Sequence, residues 1–554
     1  MAKASYSFTT PIYYVNAKPH LGTAYTTIAA DTVARYQRMN GCDVAFVTGL
    51  DEHGQKIAET AEKNGMTPLA WCDSIEPAFR EAWDMLDISY TDFVRTTEPR
   101  HIRTVQTFWN TIYEKGLLYK GSYEGWYCVH DEAYYAEGDL EKEAGEFICP
   151  ECKRPVRKAA GEENWFFKLS EFQGPLLDFY EANPHFIRPE TRRNEVMSFV
   201  SRGLKDLSIS RSTFDWGVPL PFDEGHVAYV WADALLAYIT GIGFSDPERP
   251  GEFEARWPMQ YHFVGKDIIR FHCVIWPAML MAAGLTLAHT VFGHGFLLTK
   301  GEKMSKSKGN ALSPEEMVGV FGVDAYRYYF MSDVQFGHDG SISLERMVQV
   351  YNADLANTWG NLCSRVFNMT GKYFEGRVPL VAGAGAGVAA GAAGEVGAEA
   401  AEVSPAGQLP RLLAENPLRE MVETLYAEYD ECLGLVDFTG AVAAVQRLAG
   451  RVNLYVEESA PWNLAKNEET ADELAAVIYN ALEAIRVIAL FMAPFMPRSS
   501  AEVFRRLGLG DVFAVDDIQA ASAWGGLPAG NAVETGEPLF PRLDLDSIDF
   551  SLGS

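Results

Sequence analysis

Residues Tyr6–Val47, YSFTTPIYYVNAKPHLGTAYTTIAADTVARYQRMNGCDVAFV, set the expectation for the fold. Tyr6–Val15 is rich in β-branched and aromatic residues and predicts a strand. Asn16-Ala17-Lys18-Pro19 breaks it, because proline fixes φ and removes a donor. From about Gly22 a helix is expected: Tyr25, Ile28, Ala29, Thr32, Val33 and Tyr36 recur at 3.6 spacing on one face. Gly41 is placed to end that helix, and Val44–Val47 predicts a short buried strand. Strand, helix, strand in this order is a βαβ unit of a parallel sheet.

The turn between the first strand and its helix reads Pro19-His20-Leu21-Gly22-Thr23. Backbone amides at a helix N-terminus favour an anion. His20 can donate to a phosphoryl oxygen, and Gly22 is expected to let a nucleotide approach the backbone. A second anion-binding candidate lies far along the chain, Gly301-Glu302-Lys303-Met304-Ser305-Lys306-Ser307-Lys308-Gly309-Asn310. Its glycines, hydroxyls and ammonium groups can wrap a polyphosphate. Taken singly, each has a plain alternative: a loop histidine with a turn glycine, and a solvated basic turn.

The chain has 554 residues, enough for three or four domains, and 48% of them are hydrophobic, which favours sizeable cores over disorder. No cationic apolar leader opens it, and Val487–Met496, broken by Pro494, is too short to span a membrane. A cytoplasmic protein without a membrane anchor is expected. The net charge of −28 opposes non-specific binding of nucleic acid, so any nucleic-acid partner needs a local patch. Of eight cysteines, only Cys149 and Cys152 are closely spaced, which argues against a disulfide framework.

The organisation follows from pattern changes. Residues 1–117 and 226–295 read as two halves of one α/β domain. Between them, 118–225 opens with short aromatic strands and turns and reads as an insert. Residues 296–350 carry the lysine loop. Residues 351–510 are strongly helical, interrupted by an Ala/Gly-rich stretch at 381–407, and 511–554 form a tail without clear period.

His20-x-Gly22 after the first strand, with Lys303-Met304-Ser305-Lys306-Ser307 late in the chain, resembles the paired signatures of class I aminoacyl-tRNA synthetases. Further segments resemble the bacterial methionyl-tRNA synthetase family along nearly the whole length: Thr10–Gly22, Asp51-Glu52-His53-Gly54, Tyr229–Ala234, Gly265-Lys266-Asp267-Ile268, Lys303–Ser307 and Ala460-Pro461-Trp462. The resemblance implies a Rossmann-type parallel-sheet catalytic domain with an inserted connective domain, followed by an α-helical anticodon-binding bundle. It implies ATP-dependent joining of methionine to tRNA(Met) through a methionyl-adenylate, and a monomer. His20, Lys303 and Lys306 are then the catalytic residues, and Gly22, Thr23, Gly265, Asp267, Ser305 and Ser307 complete the ATP site, with Mg²⁺ accompanying ATP. Thr23 departs from the family pattern, which has a second histidine there.

By the same resemblance the methionine pocket uses Ile12, Tyr14, Asp51, Trp231, Leu235, Tyr238, Ile268 and His272. Trp231, Leu235 and Tyr238 are spaced four and three apart, on one helical face. An aromatic, aliphatic pocket suits a thioether. Asp51 is expected to hold the ammonium, and Tyr238 and His272 to donate weakly to sulfur. For each apolar residue the plain alternative is core packing.

The insert offers a metal site. Cys149-Pro150-Glu151-Cys152 makes one close pair, and the other side offers Cys128, His130 and Asp131. The resemblance to a family whose zinc-bearing members have Cys-x-x-Cys there implies Cys128 with Asp131, His130 being the alternative fourth ligand. Structural zinc is expected, against a decayed knuckle of ordinary thiols. In the helical region Asn361, Arg365 and Trp462 fall at the family's anticodon site, where Trp can stack an unpaired base. Two other readings remain: a class I synthetase for another aliphatic amino acid, and a silent tRNA-binding paralogue, favoured only by Thr23.

Overall fold

The computed structural model describes residues 3–129, 133–135, 137–143, 145–150, 152–299, 302–303, 313–381 and 416–548. They divide into two compact units, Met1–Asp31 with Asp43–Phe296, and Thr32–Cys42 with Leu297–Ser554.

The first unit is built on β1 (Ser5–Tyr14), α1 (Leu21–Met39, whose second half belongs to the other unit), β2 (Asp43–Asp51), β3 (Asp92–Arg95), α2 (Pro99–Glu114), β4 (Leu118–Cys128), β5 (Arg157–Phe167), β6 (Ile187–Arg188), β7 (Tyr261–Gly265) and β8 (Thr290–His294). Six strands form one parallel sheet in the order β3-β2-β1-β7-β8-β6. A parallel sheet buries both faces, so its strands are continuously apolar. In β2, Val44 to Asp51 are all buried. Pro11 lies inside the central strand β1, where it cannot donate to the ladder. The β1–β2 register shifts between Thr9 and Ile12, which accommodates it. The strand order reverses between β1 and β7, and the carboxyl ends flanking such a reversal open a crevice for ligands.

The insert expected at 118–225 is only partly separate. β4 and β5 form a long antiparallel pair, from Leu118↔Phe167 to Tyr127↔Arg157. The chain then returns: β6 pairs with β8 through Ile187↔Val291, and Leu176, Tyr180, Phe186, Val196 and Val200 join the core of the first unit. A two-residue strand such as β6 leaves no periodicity to read in the sequence.

The second unit contains α3 (Asn361–Phe374), α4 (Pro417–Gly434), α5 (Phe438–Ser459), α6 (Ala471–Met492) and α7 (Pro497–Arg506). Every residue of α6 from Leu474 to Met492 is buried. Glu468–Met492 is long and apolar enough to cross a membrane by length and composition, but its most apolar 18-residue window is 94% buried inside the protein, as in a core helix. Glu483 and Arg486 pair inside it, Arg486 Nη2 to Glu483 Oε1 at 2.6 Å. Glu483 also accepts the amides of Gly525 (2.8 Å), Gly526 (3.0 Å) and Leu527 (2.9 Å), and Arg486 donates to the carbonyls of Ala521 and Ala523. Residues read as an aperiodic tail are thus tied to the core helix. The Ala/Gly-rich stretch lies outside the described residues apart from Val381.

Candidate active site

Ile12 and Tyr14 stand at the carboxyl end of β1, and Asp51, 3% exposed, closes β2 opposite Tyr14. Trp231 lies in the short helix Val230–Ala234 and Tyr238 in Ala237–Thr240. Leu235 and Leu236 keep right-handed helical backbone between them, so the four-and-three spacing does hold one face. Trp231, Leu235 and Tyr238 are buried in one cluster, with Ile12, Tyr14 and Ile268 packed against it. Of these, Trp231 and Tyr238 meet the His272 ring at 6.2 and 5.6 Å between centroids, and His272 bonds the Ile268 carbonyl. Phe271 was not foreseen: it stacks on Trp231 with centroids 3.8 Å apart and planes 10° from parallel. It opens the π-helical turn Phe271–Ile275, a distortion frequent at functional sites.

Tyr238 and His272 are bonded to each other and to the backbone. The carbonyl of Ile268 only accepts, so His272 Nδ1, 2.9 Å away, carries the ring proton. His272 Nε2 is then the acceptor, and the Tyr238 hydroxyl donates to it at 2.6 Å. Burial lowers the His272 pKa to about 4 and raises that of Tyr238, so the pair is neutral near pH 7. Below it, His262 bonds Thr9 Oγ1 at 2.8 Å and accepts from the Trp276 indole at 3.2 Å; burial lowers its pKa to about 3.

The Asp51-Glu52-His53-Gly54 segment is anchored on both sides. Buried Glu52 accepts from Arg95 Nε at 2.6 Å and from the Thr97 hydroxyl. His53 Nδ1 meets Asp233 Oδ2 at 2.6 Å, and His101 Nε2 meets Asp233 Oδ1 at 2.6 Å. Burial alone would push Asp233 up, but the two histidines hold it down at about 2. Asp233 shares a helix with Trp231 and His53 follows Asp51 by two, so this tie fixes one wall of the pocket against the other.

At the head of α1, His20 Nδ1 accepts the amides of Gly22 (3.0 Å) and Thr23 (3.3 Å), and the Thr23 hydroxyl bonds both backbone groups of His20. A Cβ on Gly22 would lie 3.0 Å from His20 Cε1, so this glycine admits the histidine ring itself. Gly265 ends β7, and a Cβ there would lie 2.5 Å from Asp267 Oδ1. Thr26 of α1 and buried His294 of β8 bond at 2.7 Å across the crevice end; neither was foreseen. Lys303 lies in a two-residue strand paired with Leu297–Thr299 in the other unit. Ser305, Lys306 and Ser307 lie outside the described residues.

A family model described as tRNA synthetases class I (M) matches residues 6–367, and one described as the anticodon binding domain of methionyl tRNA ligase matches 405–550. The chain belongs to the methionyl-tRNA synthetase family. It is 47% identical to the methionine–tRNA ligase of Streptomyces coelicolor, covering 98% of this chain and 97% of that one. It is 44% identical to that of Thermotoga maritima, covering 97% and 80%. The Mycobacterium tuberculosis methionyl-tRNA synthetase in complex with methionyl-adenylate superposes with a TM-score of 0.87 at 38% identity, covering 97% of this chain and 100% of that one. The family's two parts, a Rossmann-like parallel-sheet catalytic domain and a C-terminal helical anticodon-binding domain, are those described above.

Within this synthetase fold the insert gathers three sulfurs. Those of Cys128, Cys149 and Cys152 lie within 4.8 Å of one another, and none is in a disulfide. A tetrahedral ion with Zn–S bonds of about 2.3 Å needs sulfurs about 3.8 Å apart; Cys128 and Cys152 are 3.5 Å apart. Lys153 turns through φ 59°, and its amide bonds the Cys149 carbonyl, folding a knuckle around the pair. The thiols fit a structural metal. His130 and Asp131 lie outside the described residues.

In the helical unit Trp462 is 41% exposed, just past Ala460, whose φ of 43° breaks α5. Arg365 of α3 pairs with Glu457 of α5 at 3.2 Å, five residues before Trp462. Asn361 is exposed at the start of α3. The three expected anticodon residues thus sit on adjoining elements, with Glu457 an unforeseen neighbour.

Proposed function

We propose that this chain joins L-methionine to tRNA(Met) through a methionyl-adenylate, at the expense of ATP. The observation that supports this reading is the aromatic cluster near the strand-order reversal: Trp231 stacked on Phe271, Tyr238 bonded to His272, and the buried carboxylate of Asp51 at the end of β2. Asp51 holds the substrate ammonium. Trp231, Leu235, Tyr238, Ile12, Tyr14 and Ile268 enclose the side chain, and His272 fixes the Tyr238 hydroxyl. Sulfur is recognised by shape and polarisable contact rather than by a donated hydrogen bond.

The substrate carboxylate attacks the α-phosphorus of ATP and pyrophosphate leaves. Charge grows on the phosphoryl oxygens, and positioned donors stabilise it. His20, Lys303 and Lys306 supply that stabilisation, Ser305 and Ser307 support it, and Gly22, Gly265 and Asp267 shape the nucleotide site. Mg²⁺ accompanies ATP. The 2′-hydroxyl of the tRNA 3′ end then attacks the methionyl carbonyl, forming the ester as the acyl–phosphate bond breaks and AMP leaves, with residues 296–350 contacting the acceptor stem. Trp462, Asn361 and Arg365 read the anticodon. Cys128, Cys149, Cys152 and Asp131 hold a structural zinc, which braces the insert.

Methionine-dependent ATP–pyrophosphate exchange by the purified protein tests the reading. Exchange with methionine and not with leucine or valine is expected; folded protein with Mg²⁺ and no exchange overturns it. Zinc is expected at about one equivalent by elemental analysis, falling below about half in Cys149→Ser.

A further inference from the structure

His20 directly precedes Leu21, the first residue of α1, and is its N-cap. Its ring folds back so that Nδ1 accepts the amides of Gly22 and Thr23, at 3.0 and 3.3 Å. In return the Thr23 hydroxyl oxygen accepts the His20 amide at 3.0 Å. An N-cap side chain on the third helical amide, answered by the third side chain on the N-cap amide, is a capping box. Here histidine replaces the usual serine or threonine, and threonine replaces the usual glutamate. Gly22 is part of the device, since a Cβ there would lie 3.0 and 3.1 Å from ring atoms of His20.

Two consequences follow from donor counting. A ring nitrogen that faces two amide donors presents its lone pair, so the His20 proton resides on Nε2. The Thr23 hydroxyl has one proton, and it is given to the His20 carbonyl at 2.7 Å. Phosphate oxygens only accept, so this hydroxyl has no bond to offer them in the same geometry.

We propose that Thr23 is a positioning residue, which closes the capping box and thereby locks His20 in the tautomer and orientation that present Nε2–H to the phosphoryl group. It acts through His20 and not as an ATP ligand. The residue that departs from the family's second histidine therefore serves the first one. This deepens the reading of His20 as a phosphoryl donor and rests on it.

The test uses the full chain with ¹⁵N-labelled histidine, together with Thr23→Val, Thr23→Ser and Gly22→Ala. In the parent protein and Thr23→Ser, ring-nitrogen NMR should report an unprotonated Nδ1 and a protonated Nε2 at His20. Thr23→Val and Gly22→Ala should mix the tautomers. In exchange assays Thr23→Val should lower kcat about tenfold, with KM for ATP changed less than about twofold, and Thr23→Ser should restore kcat. An unchanged tautomer signal in Thr23→Val overturns the proposal. So does a rise in KM for ATP with kcat preserved, which marks a direct ligand. A parent protein without any exchange fails the function reading instead, while the NMR arm still decides the capping box.

Discussion

The proposed methionine pocket of the catalytic unit and the proposed anticodon face of the helical unit would solve recognition in opposite ways. Around the pocket Asp51, Tyr238 and His272 are 3%, 2% and 0% exposed, and the Tyr238–His272 pair is bonded before any ligand arrives. On the helical face Trp462 is 41% exposed, and Arg365 and Glu457 meet in water. A small substrate must be swallowed, and a dry wall cannot hold an unpaired polar atom without cost. A folded RNA is far too large to swallow, so the protein keeps an aromatic plane wet and ready. Damage to the first region should therefore fall on stability and substrate binding together, whereas damage to the second should fall on tRNA alone.

Asp233→Ala is the hardest test. It strips two buried histidines of their shared carboxylate and should cost roughly 3–5 kcal/mol in urea unfolding, with KM for methionine raised. If stability falls while KM for methionine stays put, the tie between Asp51 and Trp231 does not shape the pocket. Acid comes next. His272 has a folded pKa below its unfolded value, so the unfolded chain binds the proton first as pH falls. Its contribution is complete above about pH 6.5 and is lost between there and about pH 4, a loss of roughly 3 kcal/mol. His272→Gln should flatten that part of the stability profile. Trp462→Ala should raise KM for tRNA about tenfold and leave pyrophosphate exchange and urea unfolding unchanged; loss of exchange would contradict the contrast. Smallest is Glu457→Gln, which frees Arg365 from an exposed partner and should tighten tRNA binding by less than about fivefold, an effect that fades with salt.

Much of this was legible in sequence because it is periodic or local. The βαβ unit followed from 3.6 spacing, while the family resemblance named Trp231, Leu235 and Tyr238, whose four-and-three run is consistent with one face. What was missed depends on distance along the chain. His53 and His101 lie 180 and 132 residues from Asp233, and no local pattern links them. Ile187–Arg188 is too short to show a strand period. The bonds of Tyr238 and His272 were hidden for a different reason: residue type reveals which donors exist, while only geometry reveals that these two meet each other and the Ile268 carbonyl. Phe271 carried a faint signal, four residues before Ile275 in an apolar run, but nothing in that run distinguishes a pocket wall from core.

The clamp at Glu483 bears on how the protein would respond to a protease. A nick among residues 508–516 would cut one peptide bond, yet three amides at Gly525, Gly526 and Leu527 would still hold Glu483, and two carbonyls would still hold Arg486. The cleaved segment should migrate separately on a denaturing gel while remaining bound to the helical unit in its native state.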